Sequence, residues 1–543
     1  MSSTPSKSFP NKPQPVLLAG VFALVAGLMA SSSADESPDA KTKLAFSVTV
    51  DFGADNGKSL GSLFEAKDAQ GRVVAGAGFP TVYNTRYLMD RHTVQFFVRP
   101  PEGENQFTLE RLPRPDDHCG LYMFDFAGRL FAINLHYSQQ FSEWNPASGE
   151  WQAPAKPVEG LGSGYDGVVR VGDGVLRFAD GRVFYNDKLI LDAPAIGKYN
   201  YFYYGQGRLF FYHNHSSEQD GFTRIHACLW TPDNPRLIDP EKESDAVSVT
   251  PVGAATWAFG SLGQQVLTVT NRGGVYVHDG ESWRTLREHV PNTSYQIYSV
   301  LNYRNKLLLG QYPTGDVFEY DGQELKHLPG FPPKLPEVSG SSRECQTLAL
   351  YRGELYAGVW PWGEVWRHEE ETDRWISMGR LFTHPEPHKR TTHPYEDGAK
   401  RHGLVMNDWG QRVTSAVPVG DSLMFATSAK NVVQWDAKYL DFMSEDARKE
   451  YGSVLKLKLP GNLSAPIQWK SGPTVLTFVV EADRLAISQD GRDLGSTPLD
   501  PEFVKTLKPD SISWGEGIFG RLDGEITQKE AGGPEWPAKT GEQ

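Results

Sequence analysis

Cysteine is scarce in this 543-residue chain, with only Cys119, Cys228 and Cys345, which lie far apart. Their number and spacing exclude a disulfide framework and a CxxC metal knuckle. We expect three buried or free thiols, with one disulfide plus one free thiol as the alternative. Positive charge is also outnumbered, because the chain has 54 Lys and Arg and 67 Asp and Glu, which gives a net charge of −13. This balance argues against nucleic acid or an anionic membrane as a general partner.

Long apolar runs are missing, apart from one near the N-terminus. Residues 16–30 are apolar or small, follow a basic region, and precede the small residues 32–34. The run is too short for a comfortable membrane span, and the pattern predicts a signal peptide over residues 1–34. We therefore expect a periplasmic or extracellular protein without membrane association after cleavage. A retained N-terminal anchor is the alternative.

Familiar cofactor motifs are absent as well. No P-loop, dinucleotide fingerprint or serine-nucleophile elbow occurs in the strand–helix setting that each requires. EF-hand spacing is missing, and Pro385 and Pro387 disfavour the helix that would bring His384 and His388 together as zinc ligands. The sequence predicts no cofactor and no metal site, with Ca²⁺ or Zn²⁺ left open as alternatives.

What the chain does contain is a repeat. Residues 307–318 and 355–366 share Gly, Pro, Gly and Val at a constant offset of 48 residues. Gly (54) and Pro (37) are abundant, which favours a turn-rich β protein. A period of this size, built on short strand-like runs, indicates a propeller or a solenoid.

Similar units recur along the middle of the chain and predict an all-β fold, a β-propeller of about seven blades with small flanking β segments. The units lie near Gly128, Gly174, Gly207, Gln265, Lys306, Glu354 and Asp421. Six or eight blades are the alternatives. Each unit is too small to bury its own apolar face, so it must stack on its neighbours.

The domain boundaries follow from this repeat. The predicted parts are a signal peptide (1–34), a linker (35–43), an N-terminal β segment (44–110), the propeller (112–445), a C-terminal β-layer (451–527) and a disordered tail (528–543). The C-terminal layer weakly resembles concanavalin-like sandwiches over residues 485–491. Closing the last blade is the other role that we consider for it.

Three units end with an aromatic or apolar residue, a polar turn and then a Trp, in residues 144–151, 277–283 and 366–375. This ending resembles the kelch-type blade, in which a tight turn leads into a Trp that packs between blades. The resemblance covers three of the seven units.

Polar residues stand at the predicted starts of three successive inner strands, and this coincidence locates a candidate site. In a propeller these starts meet at one mouth of the central channel. Together with aromatic residues of the repeat, they form the set of proposed ligand-contacting residues Gln296, Tyr312, Arg343, Glu344, Trp360, Asn407, Trp409, Gln411 and Arg412.

The repeat is interrupted at residues 381–412, a long segment that holds four His and several Lys and Arg. Long loops in compact domains are often functional. Its positive charge suits a carboxylated or sulfated saccharide, because Arg binds either group with two parallel hydrogen bonds. We expect His393 to bind substrate and Tyr395 to take part in catalysis. A solvated surface loop is the alternative.

His213-Asn-His215 and His136-Tyr137 close aromatic runs at similar places in two units. Here the sequence weakly resembles propeller polysaccharide lyases such as the ulvan lyases, which use His, Tyr and Arg from successive blades. The resemblance implies β-elimination from a uronate, with His213 or His215 as base and Arg343 or Arg412 neutralising the carboxylate. His136 and Tyr137 would then bind substrate. The alternative is strand-end His residues bonded to backbone.

These observations predict a secreted, monomeric propeller that binds an anionic polysaccharide or other glycan and that cleaves it, if at all, by β-elimination. A non-catalytic scaffold for protein or glycan is the first alternative, since the fold does not choose the function. A glycoside hydrolase that uses paired carboxylates such as Glu344, Glu364 and Glu396 is the second.

Overall fold

A computed structural model describes residues 42–85, 87–100, 107–134, 141–156, 158–161, 167–431 and 435–534. The predicted signal peptide, most of the predicted linker, and the candidate residues His136 and Tyr137 lie outside these residues. In the described part of the chain, no helix is long and apolar enough to cross a membrane.

Strands make up most of the described chain. Those before residue 112 are β1 (Thr42–Asp51), β2 (Gly61–Lys67), β3 (Val73–Phe79), β4 (Val82–Asn84), β5 (Tyr87–Leu88), β6 (Thr93–Val98) and β7 (Thr108–Arg111). Those of the repeating region are β8 (Tyr122–Phe126), β9 (Arg129–Ile133), β10 (Phe141–Asn145), β11 (Glu150–Gln152), β12 (Val168–Val171), β13 (Gly174–Ala179), β14 (Arg182–Tyr185), β15 (Lys188–Leu191), β16 (Lys198–Gly205), β17 (Arg208–His215), β18 (Phe222–Leu229), β19 (Ser244–Ser248), β20 (Thr256–Leu262), β21 (Gln265–Thr270), β22 (Val275–His278), β23 (Trp283–Arg287), β24 (Gln296–Tyr303), β25 (Lys306–Tyr312), β26 (Val317–Tyr320), β27 (Leu325–Leu328), β28 (Glu344–Tyr351), β29 (Glu354–Trp360), β30 (Glu364–Glu369), β31 (Arg374–Arg380), β32 (Gln411–Val419), β33 (Ser422–Ala429) and β34 (Val454–Lys458).

The C-terminal strands are β35 (Asn462–Pro466), β36 (Thr474–Glu481), β37 (Arg484–Gln489), β38 (Arg492–Pro498), β39 (Ser511–Trp514) and β40 (Glu525–Gly532). The short helices are α1 (Pro240–Glu243), α2 (Glu396–Arg401), α3 (Glu445–Lys449) and α4 (Pro501–Val504), with 3₁₀ turns at Glu370–Thr372 and Ala437–Asp441.

The N-terminal and C-terminal segments form two facing sheets. One has the strand order β38-β37-β36-β1-β40 and the other β35-β6-β3-β2-β39, so each sheet contains strands from both ends of the chain. Alternate residues of β1 face inward, as the two-residue period of a strand requires, and the Phe46 and Phe64 rings stack at 4.3 Å between centroids. Phe96 and Phe478 complete this core. The flanking segments therefore share one sandwich and are not two separate layers.

Among the described residues, the repeating region forms seven sheets. Each contains a run of four neighbouring strands. Their strands are β8–β11 (sheet 1), β12–β15 (sheet 2), β16–β19 (sheet 3), β20–β23 (sheet 4), β24–β27 (sheet 5), β28–β31 (sheet 6) and β32–β34 with β7 (sheet 7). In each sheet the strands are antiparallel to their sequence neighbours, and β7, from before the repeats, completes sheet 7 by pairing with β34.

The first strands of the sheets pack side by side and close on themselves. The Thr347 hydroxyl on sheet 6 donates to the Val413 carbonyl on sheet 7 at 2.6 Å. The Thr414 hydroxyl on sheet 7 then donates to the Leu121 carbonyl beside the first strand of sheet 1 at 2.7 Å. The last repeat therefore meets the first, and the prediction of an all-β protein with a β-propeller is confirmed.

The 48-residue repeat has a physical cause in the joints between sheets. The Pro313 carbonyl accepts from the Arg343 amide at 2.8 Å, and the Pro361 carbonyl accepts from the Gln411 amide at 2.9 Å. Gly310 is needed because a Cβ there would lie 2.2 Å from the Cys345 carbonyl oxygen of the next sheet. The repeated residues thus hold the start of each next inner strand in place.

A segment from the sandwich side runs inside the ring of first strands. This strap comprises residues 81–85 and 87–91. Its β4 pairs with β24 of sheet 5, and its β5 pairs with β8 of sheet 1. The Tyr87 hydroxyl also donates to the Leu348 carbonyl of sheet 6 at 2.8 Å. The channel interior is therefore partly filled by the chain itself, which the repeat alone does not predict.

One predicted boundary differs from the structure. Strand β40 continues to Gly532 and pairs with β1, with Glu530 opposite Ser47, so the predicted tail begins too early. Its side chains are charged and largely exposed, so the sequence shows no strand pattern there. Pairing of its backbone with β1 holds it in the sheet. The three aromatic–turn–Trp segments form third-to-fourth-strand hairpins, with Trp144 opposite Trp151, His278 opposite Trp283 and His368 opposite Trp375.

Candidate functional site

Side chains from three successive sheets meet where their first strands begin. We call Gln296, Tyr298, Glu344, Gln346 and Arg412 the mouth cluster. Arg412 Nη2 lies 3.5 Å from Glu344 Oε2 of the neighbouring sheet, and its guanidinium lies 5.8 Å from the Tyr298 ring centroid. The Tyr298 hydroxyl donates to the Gln296 side-chain oxygen. The predicted coincidence of polar strand starts therefore corresponds to contacts between neighbouring sheets.

Several polar atoms of the mouth cluster are buried without a hydrogen bond to any described residue. They are Glu344 Oε1, Gln346 Oε1, Gln346 Nε2 and Arg412 Nε. Glu344 and Arg412 are about 1% and 2% exposed, so bulk water does not satisfy these atoms. Because buried polar groups in native proteins are almost always hydrogen-bonded, these atoms are candidate contacts for ordered water or a ligand.

Aromatic side chains of the repeat stand beside the mouth cluster. The Tyr312 and Trp360 rings are 6.3 Å apart between centroids, and the His393 ring lies 5.0 Å from Trp360. Lys430 Nζ lies 5.2 Å from the same Trp360 ring, and the Lys430 carbonyl accepts from Arg412 Nη1 at 2.9 Å. Tyr312, Trp360 and His393 thus lie together, although Trp360 is buried and only Tyr312 and His393 are partly exposed.

Arg343 lies at the equivalent strand start but has a different partner. Its Nη2 donates to Glu364 Oε2 at 3.3 Å and to the Pro333 carbonyl at 2.8 Å. Burial raises the pKa of Glu364, and the Arg343 charge partly offsets this effect. Both candidate arginines therefore face a buried carboxylate, and neither presents an uncompensated charge to a ligand.

The two candidate bases lie on sheet 3, with local partners. The His213 ring Nε2 is 2.7 Å from the Ile196 carbonyl, and its ring packs against Tyr199 and Phe222. His215 lies 3.4 Å from Asp220 in the following turn. Both histidines therefore contact nearby groups at the end of a strand. They lie on a different sheet from Arg343 and Arg412.

The segment 381–412 is ordered by ion pairs, and α2 forms part of it. His384 Nδ1 lies 3.1 Å from Glu450, His393 Nδ1 lies 3.2 Å from Glu396, and His402 Nε2 lies 2.9 Å from Asp441. Lys400 and Arg401 use the same carboxylates, Glu396 and Asp441. Much of the positive charge that the sequence shows here is thus matched by nearby acids.

Three other candidate residues of this segment have structural partners. The Trp409 ring is fully buried and packs against Tyr439 and Tyr451, at 5.3 and 5.6 Å between centroids, so its faces are covered by protein. The Gln411 amide binds the His384 carbonyl and the Arg380 guanidinium, which anchors the segment. Asn407 is half-buried, and its carbonyl accepts from Gly410.

Tyr395, the remaining catalytic candidate of this segment, packs against Phe442 at 5.9 Å between ring centroids. Burial raises its pKa well above the ordinary value. A phenol in this state is a poor base or nucleophile at neutral pH.

Of the predicted set, Gln296, Glu344 and Arg412 join one cluster, with Tyr312, Trp360 and His393 beside it. Tyr298, Gln346 and Lys430 were missed by the sequence reasoning. Tyr298 and Gln346 each follow a candidate residue by two positions, but each is the unpaired residue of a bulge in its strand, where simple alternation of side chains fails. Lys430 is distant in sequence and carries no comparable signal.

A second feature is a cavity of about 80 Å³ between the strap and sheets 1 to 5. We call it the channel cavity. Aromatic and aliphatic side chains form most of its wall, including Tyr83, Phe126, Phe178, Phe202 and Val300. The Tyr83 ring lies edge-on to Tyr203 at 5.9 Å between centroids, which joins strap and sheet 3 along this wall.

Charged side chains at one end of the channel cavity are bonded to one another. Arg170 Nη1 donates to Asp90 Oδ2 at 2.8 Å, and Arg91 Nη2 donates to Asp55 Oδ1 at 2.9 Å. The Thr93 hydroxyl donates to Asp125 Oδ2 at 2.9 Å. Burial, together with the nearby Asp90 carboxylate, raises the pKa of Asp125 to about 8. This network joins the sandwich and the strap to sheets 1 and 2.

No group of three or more His, Cys, Asp or Glu side chains within the described ranges is placed to hold a metal. Cys119, Cys228 and Cys345 are buried free thiols. Burial raises the pKa of Cys119 to about 11, which disfavours a reactive thiolate.

Comparison with known proteins gives a likeness of fold. No family model and no curated protein matches the chain. Among solved structures, the computationally designed Ika8 protein aligns at 12% identity and a TM-score of 0.33, covering 76% of this chain and all of that one. YCF48 bound to D1 peptide aligns at 11% identity and a TM-score of 0.35, covering 66% and 98% of the two chains. The calcium-binding protein regucalcin from Agrobacterium tumefaciens aligns at 13% identity and a TM-score of 0.28, covering 65% and 93%.

Proposed function

We propose that this protein is an extracytoplasmic β-propeller that binds a saccharide at the mouth cluster. The observation that supports this most is the set of buried polar atoms without protein partners, on Glu344, Gln346 and Arg412. Sugar hydroxyls both donate and accept, so one ring can satisfy a carboxylate oxygen, an amide and a guanidinium N–H together. The partly exposed Tyr312 and Gln296 give a ligand access to the cluster from its rim.

The charge balance favours a neutral saccharide over the anionic one that the sequence suggested. Arg412 is paired with Glu344, and Arg343 is paired with Glu364. An anionic ligand would have to compete with these carboxylates for the same guanidinium groups. Such competition is costly in a buried site, because it leaves a carboxylate without its cation.

Binding without cleavage is the form that the contacts support. For β-elimination, a base must stand beside the carbon α to a carboxylate that a cation neutralises. His213, on sheet 3, is bonded to the Ile196 carbonyl, while the arginines are on or beside the first strands of sheets 6 and 7. For glycoside hydrolysis, Glu344 and Glu396 would act as a pair, but Glu396 is engaged with His393 and Lys400.

Three further points belong to the same proposal. The seven sheets are taken as the seven blades of one ring, with kelch-like hairpins in three of them. Residues 1–34 are taken as a signal peptide that directs the protein to the periplasm or the exterior. The protein is taken to act as a monomer.

The test is isothermal titration of the mature protein with neutral and uronate-containing oligosaccharides of matched length. We expect saturable binding of a neutral saccharide, which Glu344→Gln weakens about tenfold to hundredfold, as expected for a buried hydrogen bond to a charged group. Glu354→Gln is the matched control, because Glu354 is also buried and lies at the far end of sheet 6. It should leave binding unchanged.

The same titrations separate the alternatives. Binding of uronates alone would overturn the neutral-saccharide proposal in favour of an anionic ligand. Absorbance from an unsaturated product would overturn it in favour of a lyase. No binding of any saccharide would leave only a scaffold for protein. If Glu344→Gln does not fold, Gln346→Leu removes two of the same unpaired atoms with less electrostatic change.

A further inference from the structure

Two-residue turns join the first and second strands of sheets 3, 4 and 5, and each of these turns carries one side-chain amide. The residues are Gln206, Gln264 and Asn305. The equivalent turns of the other four sheets contain neither Asn nor Gln, and they are residues 127–128, 172–173, 352–353 and 420–421. The three amides therefore mark one side of the ring.

These turns lie at the opposite end of the first strands from the mouth cluster, since the cluster is at the strand starts. Along β24, Gln296 and Asn302 are roughly 20 Å apart. At this end the sandwich segment 519–524 and the three turns line a groove of about 340 Å³, which we call the seam groove. Its volume falls in the range of small-molecule sites, about 300–1,000 Å³, and such sites occur preferentially between domains.

A buried amide in the seam groove has a fixed orientation. Asn302 lines the groove and is 6% exposed. Its Nδ2 donates to Ser59 Oγ and to the Ser261 carbonyl, each at 3.0 Å, so both amide hydrogens are used. No described residue donates to Asn302 Oδ1. Ser59 also lines the groove, and its hydroxyl keeps a hydrogen for another acceptor. The two side chains therefore retain one acceptor and one donor.

The turns add further uncharged hydrogen-bonding groups to the seam groove. The Gln206 and Gln264 side chains are at least partly exposed, and neither is hydrogen-bonded to a residue that the structure describes. Asn305 Nδ2 donates to Glu516 Oε1 at 2.9 Å, which leaves Asn305 Oδ1 as an acceptor. Each of these amides contains both a donor and an acceptor group. The groove thus suits a ligand that has donors and acceptors side by side.

The charged groups beside the seam groove are matched in sign. Lys58 Nζ lies 3.3 Å from Asp523 Oδ1, and Arg521 Nη2 lies 3.9 Å from Glu516 Oε1. The groove therefore presents no excess of positive or negative charge, which favours an uncharged ligand.

The seam groove also has an apolar wall, formed by Leu262, Phe519 and Leu522. A sugar ring has matching surfaces, because its C–H groups are apolar while its hydroxyls donate and accept. We propose that the seam groove binds a neutral mono- or disaccharide. The proposal stands whether or not a saccharide binds at the mouth cluster, since the two sites share no residue and lie at opposite ends of the ring.

The experiment is isothermal titration of the mature protein with neutral disaccharides of glucose, galactose, mannose and xylose. We expect saturable binding, which the double variant Gln206→Ala, Gln264→Ala weakens about tenfold to hundredfold through the loss of two neutral hydrogen bonds. Gln219→Ala is the matched control, because Gln219 is an exposed glutamine in the loop at the other end of sheet 3. It should bind as the wild type does.

Three results of these titrations would overturn the proposal. The first is that no disaccharide binds. The second is that the double variant binds as tightly as the wild type. The third is saturable binding of N-acetyl-trialanine amide without binding of any disaccharide, which would indicate a peptide ligand.

A second background separates the seam groove from the mouth cluster. Glu344→Gln weakens binding at the mouth, so the binding that persists in this variant should be lost when Gln206→Ala and Gln264→Ala are added. If only the mouth proposal fails, Glu344→Gln alone changes nothing and the double variant still weakens binding. If only the seam groove fails, the double variant changes nothing and Glu344→Gln still weakens binding.

A crystal of the unaltered protein, soaked with the tightest-binding disaccharide, gives an answer that does not depend on how the variants fold. We expect sugar oxygens within about 3.2 Å of the Gln264 side-chain amide and of Asn302 Oδ1. Sugar density found only elsewhere in the protein would contradict the proposal.

Discussion

The mouth cluster and the channel cavity differ in how their polar groups are satisfied. At the mouth, Glu344, Gln346 and Arg412 keep buried atoms without a partner among the described residues. In the cavity, Tyr203, Asp90 and their neighbours are bonded to one another or to backbone. The difference shows that residue types alone do not define a site, since both regions contain acids, arginines and tyrosines.

The largest expected effect concerns the ion pair at the mouth. Arg412→Met leaves the Glu344 carboxylate buried without its cation, which should lower the free energy of unfolding by about 3–5 kcal/mol. Chemical denaturation measures this loss in the free energy of unfolding. The double variant Glu344→Gln, Arg412→Met should recover part of the loss, because no charge is then left unpaired. Equal stability of the single and double variants would contradict a buried pair.

A pair of matched substitutions tests the contrast between the regions. Val300→Thr places a hydroxyl in the cavity wall, where the described polar groups are already paired, and should cost about 1–3 kcal/mol. Gln346→Leu removes an amide that has no protein partner and should change stability by less than about 1 kcal/mol. Val475→Thr, on the exposed sandwich face, is the control for the first change. The reverse order of costs would break the comparison.

The last prediction is a pH dependence from the cavity end. The pKa of Asp125 is raised to about 8 in the folded protein, above its unfolded value near 3.9. Its neutral form therefore stabilises the fold at low pH, and this contribution is lost as pH rises from about 4 to about 8. Relative to Asp125→Asn, the wild type should become less stable between about pH 5 and about pH 7.5. A difference that does not change with pH would contradict the raised pKa.

The sequence was sufficient for the parts of the fold that repeat. Gly310, Pro313 and their counterparts in the next unit revealed the repeat, and the structure places them at the joints between sheets, where Gly310 allows close approach to the next backbone. The repeat also fixes the register of the inner strands, and this register located Glu344 and Arg412 at the strand starts.

Features made by non-repeating contacts escaped prediction. The strap inside the channel is held by pairing between residues 82–88 and strands far along the chain, and no local pattern marks such pairing. The shared sandwich likewise depends on β1 pairing with β36 and β40. The ion pairs that neutralise the segment 381–412 involve Glu450 and Asp441, which lie outside it. Local composition therefore overstated its positive charge.

The most direct test of the account is the position of ordered water in a high-resolution crystal structure of the ligand-free protein. We predict water oxygens within about 3.2 Å of Glu344 Oε1 and of the Gln346 amide, and no ordered water hydrogen-bonded to side chains in the channel cavity. Ordered water that fills the cavity while the mouth cluster is dry would contradict the contrast between unpaired polar atoms at the mouth and paired polar atoms in the cavity.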